Sequence, residues 1–350
     1  MKPVARALIA RGVTPLLVFT GQHAGLQPRD FGLDRYPRLM LGCPGREDPH
    51  SHVRDVTAAL LPSLADGPDL LVVQGDTSSA LGGALAGFTG GIPVAHVEAG
   101  LRTHDPELPW PEEEYRTAID ADAALLFAPT ELAAANLHAE RVTGEIHVTG
   151  NSGVDAALEA ARQLPPPVLR YGGAKRVLVT CHRRESWSEG LASIAAASAE
   201  LASDGIHVEV LLHPNAHVAE RMKQLLGTRP GVTLLDPCSH DELLSRMRHA
   251  DLLLSDSGGI QEEAPALGVP LLVLRDKTER PEGIAAGCAR LVGTDAARIL
   301  EAARSLLADP AALAAMRRPT FPYGDGYAGE RIAAIIVDWV ERSSVSRRQA

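Results

Sequence analysis

Short runs of Val, Leu and Ile, set between longer segments with helical spacing, restrict this chain more than any other feature of its sequence. In the first half they fall at 15–20, 69–74, 92–97, 124–128 and 146–149, and in the second at 176–181, 208–213, 232–235, 251–255, 269–274 and 289–292. This alternation is the βαβ signature of parallel sheets covered on both faces, so the fold class is α/β with two similar sheets. At 350 residues the chain exceeds the usual size of one core. Pro165-Pro166-Pro167 excludes both helix continuation and ladder pairing, which puts an interdomain linker there. The expected division is 1–165, then 168–327, then an amphipathic segment at 328–343 containing Trp339, which forms a helix packing back on the first domain. In open α/β sheets ligands sit beyond the carboxyl ends of the strands, so functional residues should follow these runs directly.

Composition narrows the function classes. Hydrophobic residues make up 45% and charged residues 22% of the chain, as in an ordinary globular protein. The formal net charge of -10 argues against non-specific nucleic-acid binding. Cys43, Cys181, Cys238 and Cys288 are widely spaced, with neither CxxC nor Cys/His ligand spacing, so no disulfide framework or zinc site is expected and a reducing cytoplasm fits. No stretch reads as a signal peptide or membrane span.

In the second half, Asp256-Ser257-Gly258-Gly259 follows a strand and opens a helix beginning Ile260-Gln261-Glu262-Glu263. Strand, Ser-Gly-Gly, helix suits a phosphate cradle, because glycines admit close backbone approach and the helix N-terminus offers unpaired N–H groups. Glu263, one turn in, could grip ribose hydroxyls. The plainer alternative is a Ser cap on a Gly-rich turn. Arg275 to Glu282 forms a dense polar loop after the next strand, and Thr180-Cys181-His182-Arg183-Arg184-Glu185 also ends a strand. His beside two Arg suits charge neutralisation of a departing phosphate, with a surface salt-bridge group as the alternative. His213-Pro214-Asn215 adds a third polar loop.

The first half supplies carboxylates. Asp76 follows the 69–74 run and doubles as a candidate N-cap for a helix starting near Thr77. Glu98 and Arg102 lie at the end of the 92–97 run. Pro109-Trp110-Pro111-Glu112-Glu113-Glu114-Tyr115-Arg116 opens a helix in which Glu112 and Arg116 make an ordinary i, i+4 pair. Each acid alone has a structural explanation. Together, with a phosphate cradle in the other half, they suit proton removal from a weakly acidic carbon alongside departure of a phosphate group. No loop carries the dense Asp/His set of a two-metal phosphatase.

The strings GDTSS (75–79), HVEAGLRT (96–103), PWPEEEYR (109–116), HRRES (182–186), DSGGIQEEAPALG (256–268), RDKTERPEG (275–283), VGTD (292–295) and PYGDG (322–326) resemble, in order, the signature set of non-hydrolysing UDP-N-acetylglucosamine 2-epimerases. The resemblance implies two Rossmann-like domains in a glycosyltransferase-B-like arrangement with a cleft between them, usually as a homodimer, with no metal or nicotinamide cofactor. It implies interconversion of UDP-N-acetylglucosamine and UDP-N-acetylmannosamine by anti elimination of UDP to a 2-acetamidoglucal and re-addition. By motif, Asp76, Glu98, Glu112 and His182 become the catalytic group. Arg116, Arg183, His213, Ser257, Gly258, Gly259, Glu263 and Arg280 become binders of the UDP-sugar, and Gln22 and Arg54 match part of an effector site. Family members begin with a strand and a Gly-Thr-Arg-Pro-Glu loop. Here Met1-Lys2-Pro3 stands where the first helix is already under way, so that strand and loop are expected to be missing. A catalytically silent UDP-sugar-binding homologue or partner subunit is the alternative, followed by a hydrolysing epimerase.

Overall fold

The computed structural model describes residues 1–23, 25, 27–166, 173–181 and 189–349. They form two compact units, Met1–Ala156 with Gly324–Ala350, and Ala157–Tyr323.

In the first unit the chain runs α1 (Lys2–Ala10), β1 (Leu17–Phe19), β2 (Arg38–Met40), α2 (Pro49–Leu60), β3 (Leu71–Gln74), α3 (Ser78–Gly90), β4 (Val94–Val97), α4 (Glu112–Asp122), β5 (Leu125–Ala128), α5 (Glu131–Glu140), β6 (Glu145–Val148) and α6 (Ser152–Gln163). Strands β3, β4, β5 and β6 are parallel neighbours in that order. All four residues of β4 and of β5 are buried, as strands covered on both faces require. The β1 and β2 strands pair with each other in a separate two-stranded sheet. The apolar runs do not announce β2, because Arg38 and Met40 are exposed and only Leu39 turns inward.

The second unit contains β7 (Arg176–Thr180), α7 (Glu189–Ser203), β8 (His207–Leu211), α8 (Ala216–Leu226), β9 (Val232–Leu235), α9 (His240–His249), β10 (Leu252–Ser255), α10 (Gly258–Leu267), β11 (Leu271–Val273), α11 (Glu282–Ala285), β12 (Ala289–Leu291), α12 (Ala296–Ala308) and α13 (Pro310–Met316). Its parallel sheet has the order β12-β11-β10-β7-β8-β9. Strands are added outward in both directions from the central β7–β10 pair, so this pair is the topological switch point, where ligands bind at the carboxyl ends. The Thr180 and Ser255 hydroxyls meet there at 2.7 Å.

Helix α6 belongs to both units, which is why the division falls inside it and ahead of the proline run at 165–167. Asp155 accepts from the backbone N–H groups of Ala328 (3.2 Å) and Gly329 (2.6 Å), while Ala157, Ala160 and Leu164 pack in the core of the second unit. Those two N–H groups begin α14 (Ala328–Gln349), so Asp155 supplies the acceptor that a helix start needs from outside. Ile332, Ala333 and Ile336 of α14 lie against Val4, Ala7 and Leu8 of α1 and against Ala95, Val97, Leu125 and Phe127 of the sheet, with Trp339 partly buried beside them. The four cysteines are free thiols. Among the described residues no helix is long and apolar enough to cross a membrane.

Helices α2 and α3 approach closely because α3 presents glycine at the contact. A Cβ on Gly82 would lie 2.8 Å from Val56 Cβ and 2.9 Å from the Val53 carbonyl, whereas one on Gly90 would make only van der Waals contacts from 3.5 Å. Opposite outcomes are therefore expected within one helix. Gly82→Ala should lose about 1–3 kcal/mol of stability to overpacking, despite the better helix propensity of Ala. Gly90→Ala should leave stability unchanged or raise it by up to about 1 kcal/mol. Urea unfolding of the two variants is the check.

Candidate active site

Parallel pairing of β3 with β4 sets Gln74 beside Val97, so the residues leaving the two strands emerge side by side. Asp76 and Glu98 are those residues, both half-buried. A Cβ on Gly75 would stand 3.5 Å from Glu98 Oε2, and the Gln74 side-chain amide donates to Glu98 Oε1 at 2.6 Å. Glu98 has a left-handed φ of +72°, uncommon for any residue but glycine, with its own N–H and that of Ala99 both turned onto the Phe127 carbonyl. Asp76 is not the cap of α3. Thr77 holds that position, its hydroxyl accepting from Ala80, which leaves the Asp76 carboxylate for other partners.

Those partners come from α4. Its buried residues include Glu113, Arg116 and Asp120, three charges at helical spacing among Tyr115 and Ile119. Arg116, 1% exposed, pairs with Asp76 and, at 3.2 Å, with Glu113 three residues before it. The guanidinium thus closes onto Asp76 and Glu113, where an i, i+4 pair with Glu112 was expected. Its Nε has no partner among the described residues. The Glu113 carboxylate also accepts from the N–H groups of Thr103 (2.9 Å) and His104 (3.0 Å). Asp120 accepts from the Gly100 N–H at 3.0 Å and lies 2.8 Å from Arg102, which forks onto Glu140 at 2.7 Å through both Nε and Nη2. Gly100 is required there, since a Cβ would stand 2.2 Å from the Ala133 carbonyl and φ is +81°. His96, wholly buried, spans from Asp120 Oδ1 (2.6 Å) to the Gly75 carbonyl (2.9 Å). Glu112 begins the same helix and is half-buried.

Burial alone would push the His96 imidazole down, but the Asp120 charge and hydrogen bond, the Gly75 carbonyl and Glu98 outweigh it and hold its pKa above the ordinary 6.5. Burial likewise pushes Asp120 up, and His96 and Arg102 overcome it to hold the carboxyl below 3.8.

In the second unit the β10–α10 turn lies at the switch point. Ser257 occupies the N-cap position without any side-chain cap hydrogen bond, contrary to the capping alternative, so its hydroxyl is not used on the helix. The N–H groups of Gly258, Gly259 and Ile260 form the first helical turn and lack intrahelical acceptors. Arg280 lies beneath this turn, where a Cβ on Gly258 would stand 2.8 Å from its guanidinium. Only 7% exposed, it pairs with Glu262 and Glu279, and Glu279 also receives Arg275 at 2.9 Å. The Tyr323 hydroxyl joins the same region, donating to the Arg280 carbonyl (2.7 Å) and accepting from the Gly283 N–H (2.8 Å). Arg280 is thus set to brace the loop from below. Glu263 is paired with His240 Nε2 at 2.9 Å, a neighbour that the sequence reading passed over.

The remaining expected residues are separate. His213 accepts from the Asn215 N–H at 2.9 Å, just ahead of α8. Gln22 accepts from Ser79 at 2.6 Å, in the first turn of α3, whereas Arg54 donates to Ser51 at 2.7 Å on the exposed start of α2. His182 and Arg183 lie outside the described residues. Gln74, His96 and Asp120 carried no assigned role. The available signal was Glu113, Arg116 and Asp120 sharing the apolar face of their helix. Among the described residues no group of three or more His, Cys, Asp or Glu is arranged to hold a metal ion.

The profile of the UDP-N-acetylglucosamine 2-epimerase family matches residues 6–337. The chain belongs to that family. The UDP-N-acetylglucosamine 2-epimerase of Salmonella typhimurium is 43% identical over 295 residues, covering 79% of this chain and 78% of its own. Among solved structures, the Neisseria meningitidis UDP-GlcNAc 2-epimerase bound to UDP-GlcNAc matches with a TM-score of 0.90 at 33% identity, over 97% of this chain and 96% of its own. The Methanocaldococcus jannaschii family member, in complex with UDP-GlcNAc and UDP, matches at 0.83 and 30% identity, over 96% and 95% of the two chains.

The His96–Asp120 pair gives stability a defined pH dependence. Unfolded His96 titrates near 6.5, so its contribution is complete below that pH and is lost as pH rises through the higher folded value. Unfolded Asp120 titrates near 3.8, so its contribution is complete above that pH and is lost as pH falls through the lower folded value. Asp120→Asn should lower the unfolding free energy at pH 6 by about 3–5 kcal/mol and flatten both limbs, as read by urea unfolding across pH.

Proposed function

We propose that this chain epimerises UDP-N-acetylglucosamine and UDP-N-acetylmannosamine at C2, and that Asp76, Glu98 and Glu112 handle the C2 proton. The observation that carries the reading is family membership across residues 6–337. The C2 hydrogen is not acidic, so its removal has to be coupled to loss of the group on C1. A carboxylate takes the C2 proton, the C2–H electron pair forms the C1=C2 double bond, and the C1–O bond breaks with its electrons moving to the β-phosphate oxygen of UDP. In the return step that oxygen attacks C1 while a proton is delivered to C2 from the opposite face. The placement of Asp76 and Glu98 at adjacent strand ends supports a pair of acid/base groups, and Glu112 at the start of α4 supplies a third.

UDP must remain bound between the two half-reactions. The unpaired N–H groups opening α10 and the uncommitted Ser257 hydroxyl suit its diphosphate, and Glu263 suits the ribose. The Arg280–Glu262–Glu279 group supports that loop. Arg116 reaches the reaction through Asp76. His182 and Arg183 are assigned to the leaving diphosphate by motif, and Gln22 and Arg54 to an effector site on the same ground. His213 is assigned likewise, as a contact to the UDP-sugar. A cytoplasmic homodimer belongs to the same reading, supported by the family resemblance and by the four free thiols.

Incubation with UDP-N-acetylglucosamine in deuterium oxide, followed by NMR, tests the proposal. The expected outcome is UDP-N-acetylmannosamine with one deuterium at C2, and kcat lowered by about 10²–10⁴ in Asp76→Asn, Glu98→Gln and Glu112→Gln. UDP binding with neither product nor exchange would indicate a silent binding homologue, and release of free N-acetylmannosamine would indicate the hydrolytic reaction.

A further inference from the structure

The His96 ring takes no part in the steps above, yet it touches the turn that carries Asp76 and precedes Glu98 by two residues. Nδ1 lies 2.6 Å from Asp120 Oδ1 and Nε2 lies 2.9 Å from the Gly75 carbonyl. Neither partner has a hydrogen to give. Asp120 Oδ2 already accepts from the Gly100 N–H and faces Arg102 at 2.8 Å, so moving the proton to Asp120 would set an acid where a carboxylate is needed by two donors. Both ring nitrogens must therefore donate.

We propose that His96 is a positioning residue for the epimerisation, held as an imidazolium that locks the Gly75-Asp76 turn and the Glu98 strand end to Asp120 of α4. The inference rests on the functional reading above for its catalytic part, whereas the protonation state stands on geometry alone. The charged groups around the ring are Asp120 from α4, Glu98 from the end of its own strand, and Arg102 behind Asp120. Its cross-strand neighbours are both apolar, Val73 on β3 and Leu126 on β5. With the Asp76 carboxylate gripped by Arg116 and the carbonyl just before it gripped by His96, the turn is fixed at side chain and backbone together. Geometry of this kind governs rate more than affinity, because a displacement of about 1 Å at a reacting group can lower turnover by about 10².

Two substitutions separate the two bonds. An Asn amide nitrogen falls near the position of Nδ1, so His96→Asn keeps a donor to Asp120 and loses the one to Gly75. A Gln amide nitrogen falls near Nε2, so His96→Gln keeps the donor to Gly75. In His96→Asn, kcat should fall by about 10–100-fold with KM within about twofold, whereas His96→Gln should recover to within about tenfold of the parent. Long-range ¹H–¹⁵N NMR of the ¹⁵N-labelled full chain should show both His96 ring nitrogens protonated at pH 7.5. An unprotonated ring nitrogen at that pH would overturn the imidazolium. Parent kcat in His96→Asn, or equal losses in both variants, would overturn the positioning role. If the parent chain itself proved inactive, the functional reading would fail while the NMR result still decided the protonation state.

Discussion

Helix α4 buries Glu113, Arg116 and Asp120 in the first unit, and the cost of burying charge without partners forces the surrounding loops into place. Arg116 takes Asp76, Glu113 takes the N–H groups of Thr103 and His104, and Asp120 takes His96, Arg102 and the Gly100 N–H. His96 lies within β4, and the other partners belong to the segments leaving β3 and β4. Asp76 is therefore located directly by a buried electrostatic network, while the strand ahead of Glu98 and the loop after it are held to the same helix through His96, Gly100 and Arg102. Such a network is costly to break at any one member, which suits a site whose groups must hold position while a proton moves.

The second unit also builds a turn on a group of buried ion pairs. The turn opening α10 needs glycine at 258, because the Arg280 guanidinium occupies the space that a side chain would fill. Arg280 is balanced by Glu262 and Glu279, and Tyr323 ties its backbone to Gly283. A balanced ion-pair group thus sits under a turn whose first N–H groups lack intrahelical acceptors. Charge is organised below the turn and hydrogen-bonding capacity above it.

Much of the fold is legible in the sequence because covered parallel strands must be nearly continuous in apolar residues, and every such run overlaps a strand. What escaped had no apolar signal. Strand β2 buries little beyond Leu39, and the passage between units lies within the unbroken helix α6, whose two ends serve different cores. At the site, Asp76, Glu98 and the Ser257-Gly258-Gly259 turn were legible from their places after strands. The residues that hold them were harder to see. The burial of Arg280 against two glutamates carries no signal in the sequence, and a buried His such as His96 looks like any strand residue until both of its acceptors are placed.

The central claim is that α4 acts on the reaction by holding Asp76. A double-mutant cycle on kcat/KM between Arg116→Lys and Asp76→Asn tests it directly, since Lys keeps the charge but cannot reproduce the forked contact. The account predicts that each single change lowers kcat/KM and that Arg116→Lys costs almost nothing further once Asp76 is Asn. Fully additive losses would contradict it, because Arg116 would then act on the substrate by a route that does not pass through Asp76.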